Sequence, residues 1–121
     1  MKNLKFIISS INEKIDESDK YEKIYLGNWC FKNKYISTNQ KVVNYHWDNR
    51  LKLEHNYYYL ESFYEKVLEN IKDILNSFHK TEYSLEFWRF VIGYWLHCFI
   101  ASAFDRWENI QEALKDFPEI K

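Results

Sequence analysis

Between Gly27 and Pro118 the chain contains a single glycine, Gly93, and no proline. These two residues most often end regular elements. Average usage would place about 8 glycines and 6 prolines in a chain of this length, against the 2 and 1 present among 121 residues. Long uninterrupted elements are therefore expected, and the side-chain spacing says which kind. From residue 53 onward, apolar residues recur three and four apart at Leu53, Tyr57, Leu60, Tyr64, Val67, Leu68, Ile71, Leu75 and Phe78. That spacing traces one face of a helix. Asn56, Glu65, Glu69, Lys72, Asp73 and Asn76 fall on the other face, and Asp48 is a plausible N-cap, giving a helix over about residues 48–78.

A short polar connection follows, and Ser84 is the next N-cap candidate, with Glu86 in the first turn where its charge suits the helix dipole. The second helix, about residues 85–116, is apolar nearly all round as far as Phe104, which implies cover on most sides. Beyond Asp105 it turns amphipathic, with Trp107, Ile110, Ala113 and Leu114 expected inward, and Pro118 marks its end. The apolar run of residues 90–104 is interrupted by His97 and is shorter than the ~20 residues a membrane span needs. A buried core helix in a chain that does not span a membrane is expected.

The first 47 residues read differently. Leu4-Lys5-Phe6-Ile7-Ile8-Ser9, residues 23–27 and residues 41–45 are short and rich in β-formers, which suits three strands, with residues 12–22 as a polar connecting loop. Short strands followed by two long helices describe a helix-rich α/β fold, a partial Rossmann-like layer. Two or three strands make a small sheet for such a layer, so further strands are expected from sequence beyond this segment.

Composition narrows the function classes. With 46% hydrophobic and 20% aromatic residues a core is easily supplied. The 17 basic and 18 acidic residues are dispersed, so no electrostatic footprint for nucleic acid appears, and no nucleic-acid partner is expected. Cys30 and Cys98 lie far apart and outside any CxxC pattern, which fits a reducing, cytoplasmic compartment. The N-terminal apolar run is too short for a signal peptide. His46, His55, His79 and His97 show no metal-ligand spacing with each other or the cysteines, so no metal is expected. No Walker loop, GxGxxG, HExxH or GxSxG motif occurs, and a Cys30–His46 nucleophilic pair rests on no motif.

Four clusters can carry chemistry. Gly27-Asn28-Trp29-Cys30 follows the second strand, where open α/β sheets bind ligands; the alternative is an ordinary turn with Trp29 in the core. His46-Trp47-Asp48-Asn49-Arg50 sits at the start of the first long helix. There helix N–H groups and Arg50 favour an anion and His46 can act as acid, base or phosphate donor; alternatively, Asp48 only caps the helix and Arg50 only pairs with it. Arg89, Gly93 and His97 lie at i, i+4 and i+8 along one stripe of an apolar helix. They suit a slot for an anionic group, or else internal pairing, Arg89 with a carboxylate such as Asp48 and His97 with a backbone carbonyl. Asp105-Arg106-Trp107, where the apolar run ends, suits an interdomain contact or a ligand site.

Taken together, Tyr25-Leu26-Gly27-Asn28-Trp29-Cys30, Tyr45-His46-Trp47-Asp48-Asn49-Arg50, Phe87-Trp88-Arg89 with Gly93-Tyr94-Trp95-Leu96, and Phe104-Asp105-Arg106-Trp107 resemble the N-terminal region of a family of transferases encoded in surface-polysaccharide (O-antigen) gene clusters. The resemblance spans about residues 4–114. The chain departs from the family pattern at Tyr94, where a proline usually follows the glycine, and at Asn49, where an aspartate is common. Family members are several times longer, so the resemblance implies that residues 1–121 are one segment of a larger transferase whose C-terminal domains are its partners. It implies no cofactor within this chain, a nucleotide-sugar donor site in the later domains, and a phosphorylated or sugar substrate. The resemblance carries over no catalytic residue; from the clusters themselves His46, Asp48, Arg50, Arg89, His97 and Trp29 are the ligand candidates. Gly27, Gly93, Asp105, Arg106 and Trp107 are the structural or interdomain ones. Two other readings stand beside it: a helical module whose aromatics dock a protein partner, and a small-ligand domain without catalysis.

Overall fold

The absence of helix breakers is realised as two long helices, α1 (Arg50–His79) and α2 (Leu85–Asp116), preceded by three short strands, β1 (Lys5–Ile8), β2 (Glu22–Tyr25) and β3 (Lys41–Val42). The computed structural model describes residues 5–11, 22–31 and 41–118. The loop expected over residues 12–22 lies outside the described residues as far as Tyr21, as does Leu4; Glu22 itself opens β2. The chain divides into two compact units, one of Met1–Asp48 with Trp107–Lys121 and one of Asn49–Arg106.

In the first unit the strands form a parallel sheet in the order β1-β2-β3. Lys5 pairs with Glu22 and Ile8 with Tyr25, while Tyr25 pairs with Val42. Pairing continues past the strands, Leu26 N donating to Ile8 O at 3.0 Å and Val43 N to Tyr25 O at 2.9 Å. At the amino ends, Glu22 is held between Lys5 (3.4 Å) and Lys41. The hydrogen bond from Lys41 and the two positive charges keep the Glu22 carboxyl below its usual range. Ile8, Ile24, Tyr25, Leu26, Cys30, Val43 and Ala113 form the core, with Phe117 half-buried against it.

The C-terminal end of α2 packs against the sheet. The Lys41 ammonium that engages Glu22, the first residue of β2, also sits 5.6 Å from the centre of the Phe117 ring. The helix end thus lies at the amino edge of the sheet. Ala113, one turn back along the helix, packs into the core of the sheet with Ile8, Ile24 and Tyr25.

Here the expected inward face needs correction. Asn109 and Ala113 have no solvent exposure, whereas Trp107 (59%), Ile110 and Leu114 are exposed. The buried stripe runs Asn109, Ala113, Phe117 at spacings of four, and its polar member hid it from a hydrophobicity reading.

The second unit is a helical hairpin. Asn49, not Asp48, caps α1, its side chain accepting from Lys52 N at 3.1 Å. Asp48 instead closes a short 3-10 turn, His46–Asp48. An amide at the cap does the work of a carboxylate. Tyr64, Leu68, Leu96 and Ile100 form the core between the helices, flanked by Leu60, Val67, Ile71, Leu85 and Ile92. Tyr57 and Phe78, expected on this face, are exposed, and Asn56, expected outside, is buried.

The connection is tied by one side chain. Asn76 Oδ1 accepts from Thr81 Oγ1 (3.0 Å), Tyr83 N (3.0 Å) and Trp88 Nε1 (2.9 Å), and its Nδ2 donates to Tyr83 O (2.9 Å). Lys80 ends α1 in the left-handed conformation (φ 56°), and Ser84 caps α2 by accepting from Phe87 N at 3.2 Å.

The cover expected around α2 is not there. Phe90 (92%) and Tyr94 (87%) are almost fully exposed, and Val91, Trp95 and Phe99 are also open. Within residues 90–104 only Gly93, Leu96 and Ile100 are buried.

Candidate functional site

The sequence candidates fall into both units. Gly27, Trp29, His46, Asp48 and Trp107 belong to the sheet unit, and Arg50, Arg89, Gly93, His97, Asp105 and Arg106 to the helical unit.

At the carboxyl end of β2 the chain turns through Gly27 into a 3-10 turn, Asn28–Cys30. Gly27 is fully extended, so its conformation suits any residue; the Trp29 indole lies where a Cβ would stand and would have to shift to admit one. Trp29 is therefore not in the core. It lies over the Gly27 backbone at 40% exposure, leaving part of an aromatic surface open at the strand ends. Cys30 is fully buried and its thiol donates to Ile8 O at 3.2 Å, packing as a small core residue rather than an accessible nucleophile.

Beyond β3, His46 is buried between the rings of Tyr45 (4.9 Å) and Trp47 (4.7 Å). Asp48 is exposed. Arg50 opens α1, exposed, and no ion pair joins it to Asp48 among the described residues.

Asn109 belongs to the same unit and was missed by sequence reasoning. Neither Oδ1 nor Nδ2 of its carboxamide has a hydrogen-bond partner among the described residues, and the side chain is fully buried. A buried polar group without a partner costs about 1–3 kcal/mol.

In the helical unit the Arg89–Gly93–His97 stripe is filled from within. Arg89 donates both terminal nitrogens to Glu65 at 2.7 Å each, and His97 Nε2 lies 3.3 Å from Glu61 Oε1. The expectation of internal pairing holds with other partners: Glu65 in place of Asp48, and a carboxylate in place of a carbonyl. The bidentate bond lowers the Glu65 pKa and raises that of Arg89. Between these pairs the Tyr64 ring packs edge-on to His97 (5.5 Å) and lies 5.8 Å from the Arg89 guanidinium. Its hydroxyl reaches Gly93, where a Cβ would meet Tyr64 Oη at 2.7 Å, so close packing accounts for the glycine. Asp105 is half-buried and Arg106 and Trp107 are exposed.

Among the described residues no group of three His, Cys, Asp or Glu side chains converges as a metal site. Among them α2 alone is long and apolar enough to cross a membrane. The model of the LIC12162 family transferase matches residues 5–121. No curated protein and no solved structure matches the chain.

Proposed function

The chain belongs to the LIC12162 family of transferases, and from that premise we propose that it serves glycosyl transfer in the assembly of a surface polysaccharide of the O-antigen type. In this reading residues 1–121 are a cytoplasmic segment of a larger enzyme whose C-terminal domains hold the nucleotide-sugar donor. This segment faces the acceptor. The observation that carries the reading is the carboxyl edge of the parallel sheet, where Trp29 presents an indole face beside the turn at Gly27. Ligands of open parallel sheets bind at that edge, and an indole face suits the C–H face of a pyranose. Arg89 and His97 are left out of the wall, because each already faces a carboxylate. The test is genetic and chemical. In the organism that encodes the chain, deletion should remove one sugar from the surface polysaccharide, and Trp29→Ala should diminish it. An unaltered polysaccharide after deletion would refute the reading.

A second reading rests on the exposed aromatic face of α2. A helix with Phe90, Tyr94, Trp95 and Phe99 in the open suits docking to a protein surface, either a further domain of the same enzyme or a separate partner. In that reading Trp29→Ala leaves the polysaccharide unchanged, while Phe90→Ser with Tyr94→Ser abolishes it.

A further inference from the structure

We infer that the exposed apolar face of α2 is a dimer interface, and that its occupant is the same face of a second copy of this chain. The inference rests on the second reading above, contact through this face, and adds to it the identity of the partner.

Spacing and exposure define the face. Phe87, Phe90 and Val91, Tyr94 and Trp95, and then Phe99 follow one another at helical spacing and are all exposed, so they share one side of α2. Leu96 and Ile100 point the other way, into the core shared with α1. Residues 90–104 contain no Asp, Glu, Lys or Arg. Arg89, just ahead of that run, is turned to Glu65 of α1. From Phe87 to Phe99 the face is about 18 Å long at 1.5 Å per residue.

Area and charge select the occupant. Phe90 is 92% exposed, Tyr94 87%, Trp95 61%, Phe99 56%, Val91 53% and Phe87 40%. At about 200 Å² for a whole aromatic side chain, these six offer roughly 700 Å². A stable protein–protein interface takes about 800 Å² from each partner, and the exposed Cys98 and Ser102 on the same side supply most of the difference. A face without charges also meets its own copy with no like charges opposed. A lipid surface suits it less well. Helices that lie on membranes carry Lys and Arg beside the apolar face, whereas Glu82, Glu86, Asp105 and Glu108 flank this one against Arg89 and Arg106, and Arg89 is already paired.

The pairing places a chemical reporter at the contact. Helix axes pack about 8–10 Å apart, so two copies of α2 joined at this face bring their Cys98 thiols within reach of a bismaleimide with a six-carbon spacer. Cys30 is buried, which leaves Cys98 as the accessible thiol.

The test is sedimentation velocity on the full chain from about 1 to about 100 μM, because self-association follows mass action. The expected mass rises towards twice 15.0 kDa, and the bismaleimide yields a covalent dimer that Cys98→Ser does not form. Tyr94→Glu opposes two negative charges across the interface and should be monomeric with helicity at 222 nm unchanged. Tyr58→Glu, at an exposed position on α1, should remain dimeric. If Tyr94→Glu loses helicity, Phe90→Ser with Tyr94→Ser takes its place. A wild-type chain that stays monomeric throughout overturns the inference. The wider docking reading then stands or falls with the polysaccharide of the Phe90→Ser, Tyr94→Ser strain. A dimer that survives Tyr94→Glu, or that Tyr58→Glu breaks, uses another face and overturns it as well. A monomer that floats with phosphatidylcholine vesicles assigns the face to lipid and has the same consequence.

Discussion

Replacing Gly93 by alanine sets two opposed effects against each other at one atom. Alanine in a helix interior is favoured over glycine by about 1 kcal/mol, so an exposed Gly93 would gain from the change. The added methyl, however, would stand 2.7 Å from Tyr64 Oη and 3.3 Å from Arg89 Cγ. Tyr64 is buried, with His97 against one side of its ring and Arg89 near another, so its hydroxyl has little room to retreat. Overpacking of this kind costs about 1–3 kcal/mol, and Gly93→Ala should destabilise by about 1 kcal/mol net. Removing the hydroxyl removes the obstruction. In a Tyr64→Phe background the same substitution should stabilise by up to about 1 kcal/mol, a coupling of about 2 kcal/mol between two residues in contact. Urea denaturation followed by circular dichroism at 222 nm on the four proteins gives the cycle. If Gly93→Ala changes stability equally in both backgrounds, the hydroxyl is not what excludes the methyl group, and the account of this glycine is wrong.

Three further outcomes follow from the same geometry. Asn76→Ala leaves Thr81 Oγ1, Tyr83 N and Trp88 Nε1 without their acceptor; at about 1 kcal/mol for a typical bond, less what water restores, the loss should be about 2 kcal/mol in urea denaturation. Glu65→Gln should cost up to about 1 kcal/mol at neutral pH and low salt, because the Arg89–Glu65 pair is bidentate but exposed. Arg89 lowers the Glu65 pKa below 4.5, so this contribution is complete above that value and disappears as pH falls through the lowered one. The gap between wild type and variant should therefore close in acid, and a gap that persists there would show another cause. Phe90→Ser with Tyr94→Ser should change thermal stability by less than about 1 kcal/mol, since both side chains are in the open; a large loss of melting temperature would mean that they pack within this chain.

Sequence reasoning reached the elements because each rests on local signals. Three runs of β-formers became β1, β2 and β3, shorter at several ends, and the three-and-four spacing became α1 with Tyr64 and Leu68 in its core. The cap moved one residue because asparagine and aspartate satisfy the same free N–H groups, and spacing cannot choose between neighbours. Partners across space were harder. That Arg89 would find a carboxylate followed from the expense of leaving it unpaired, but which one depends on how α1 and α2 are phased, and Glu65 was assigned to the solvent face. Asn109 was invisible for a different reason. A buried amide on the stripe Asn109, Ala113, Phe117 lowers the very hydrophobicity by which a buried face is recognised.

The error on α2 exposes a general limit of hydrophobic pattern. A helix apolar all round is selected for contact on all sides, and the sequence of α2 records that from Phe87 to Phe104. The pattern does not record where the contacting atoms come from. α1 supplies one side through Leu68, Tyr64 and their neighbours, and its own outward face mixes charges at Glu54, Lys66, Glu69 and Asp73 with exposed Leu51, Tyr57, Tyr58, Ile74 and Phe78. Over residues 90–104 α2 has no Asp, Glu, Lys or Arg, and Phe90, Tyr94, Trp95 and Phe99 are exposed there. Two helices of one hairpin thus both expose aromatic residues, and only α1 intersperses them with charges along its length. Intrinsic helix preference does not explain the difference, because aromatic residues are poorer helix formers than the lysine and glutamate they replace. The aromatic face of α2 is therefore better explained by contact than by helix formation.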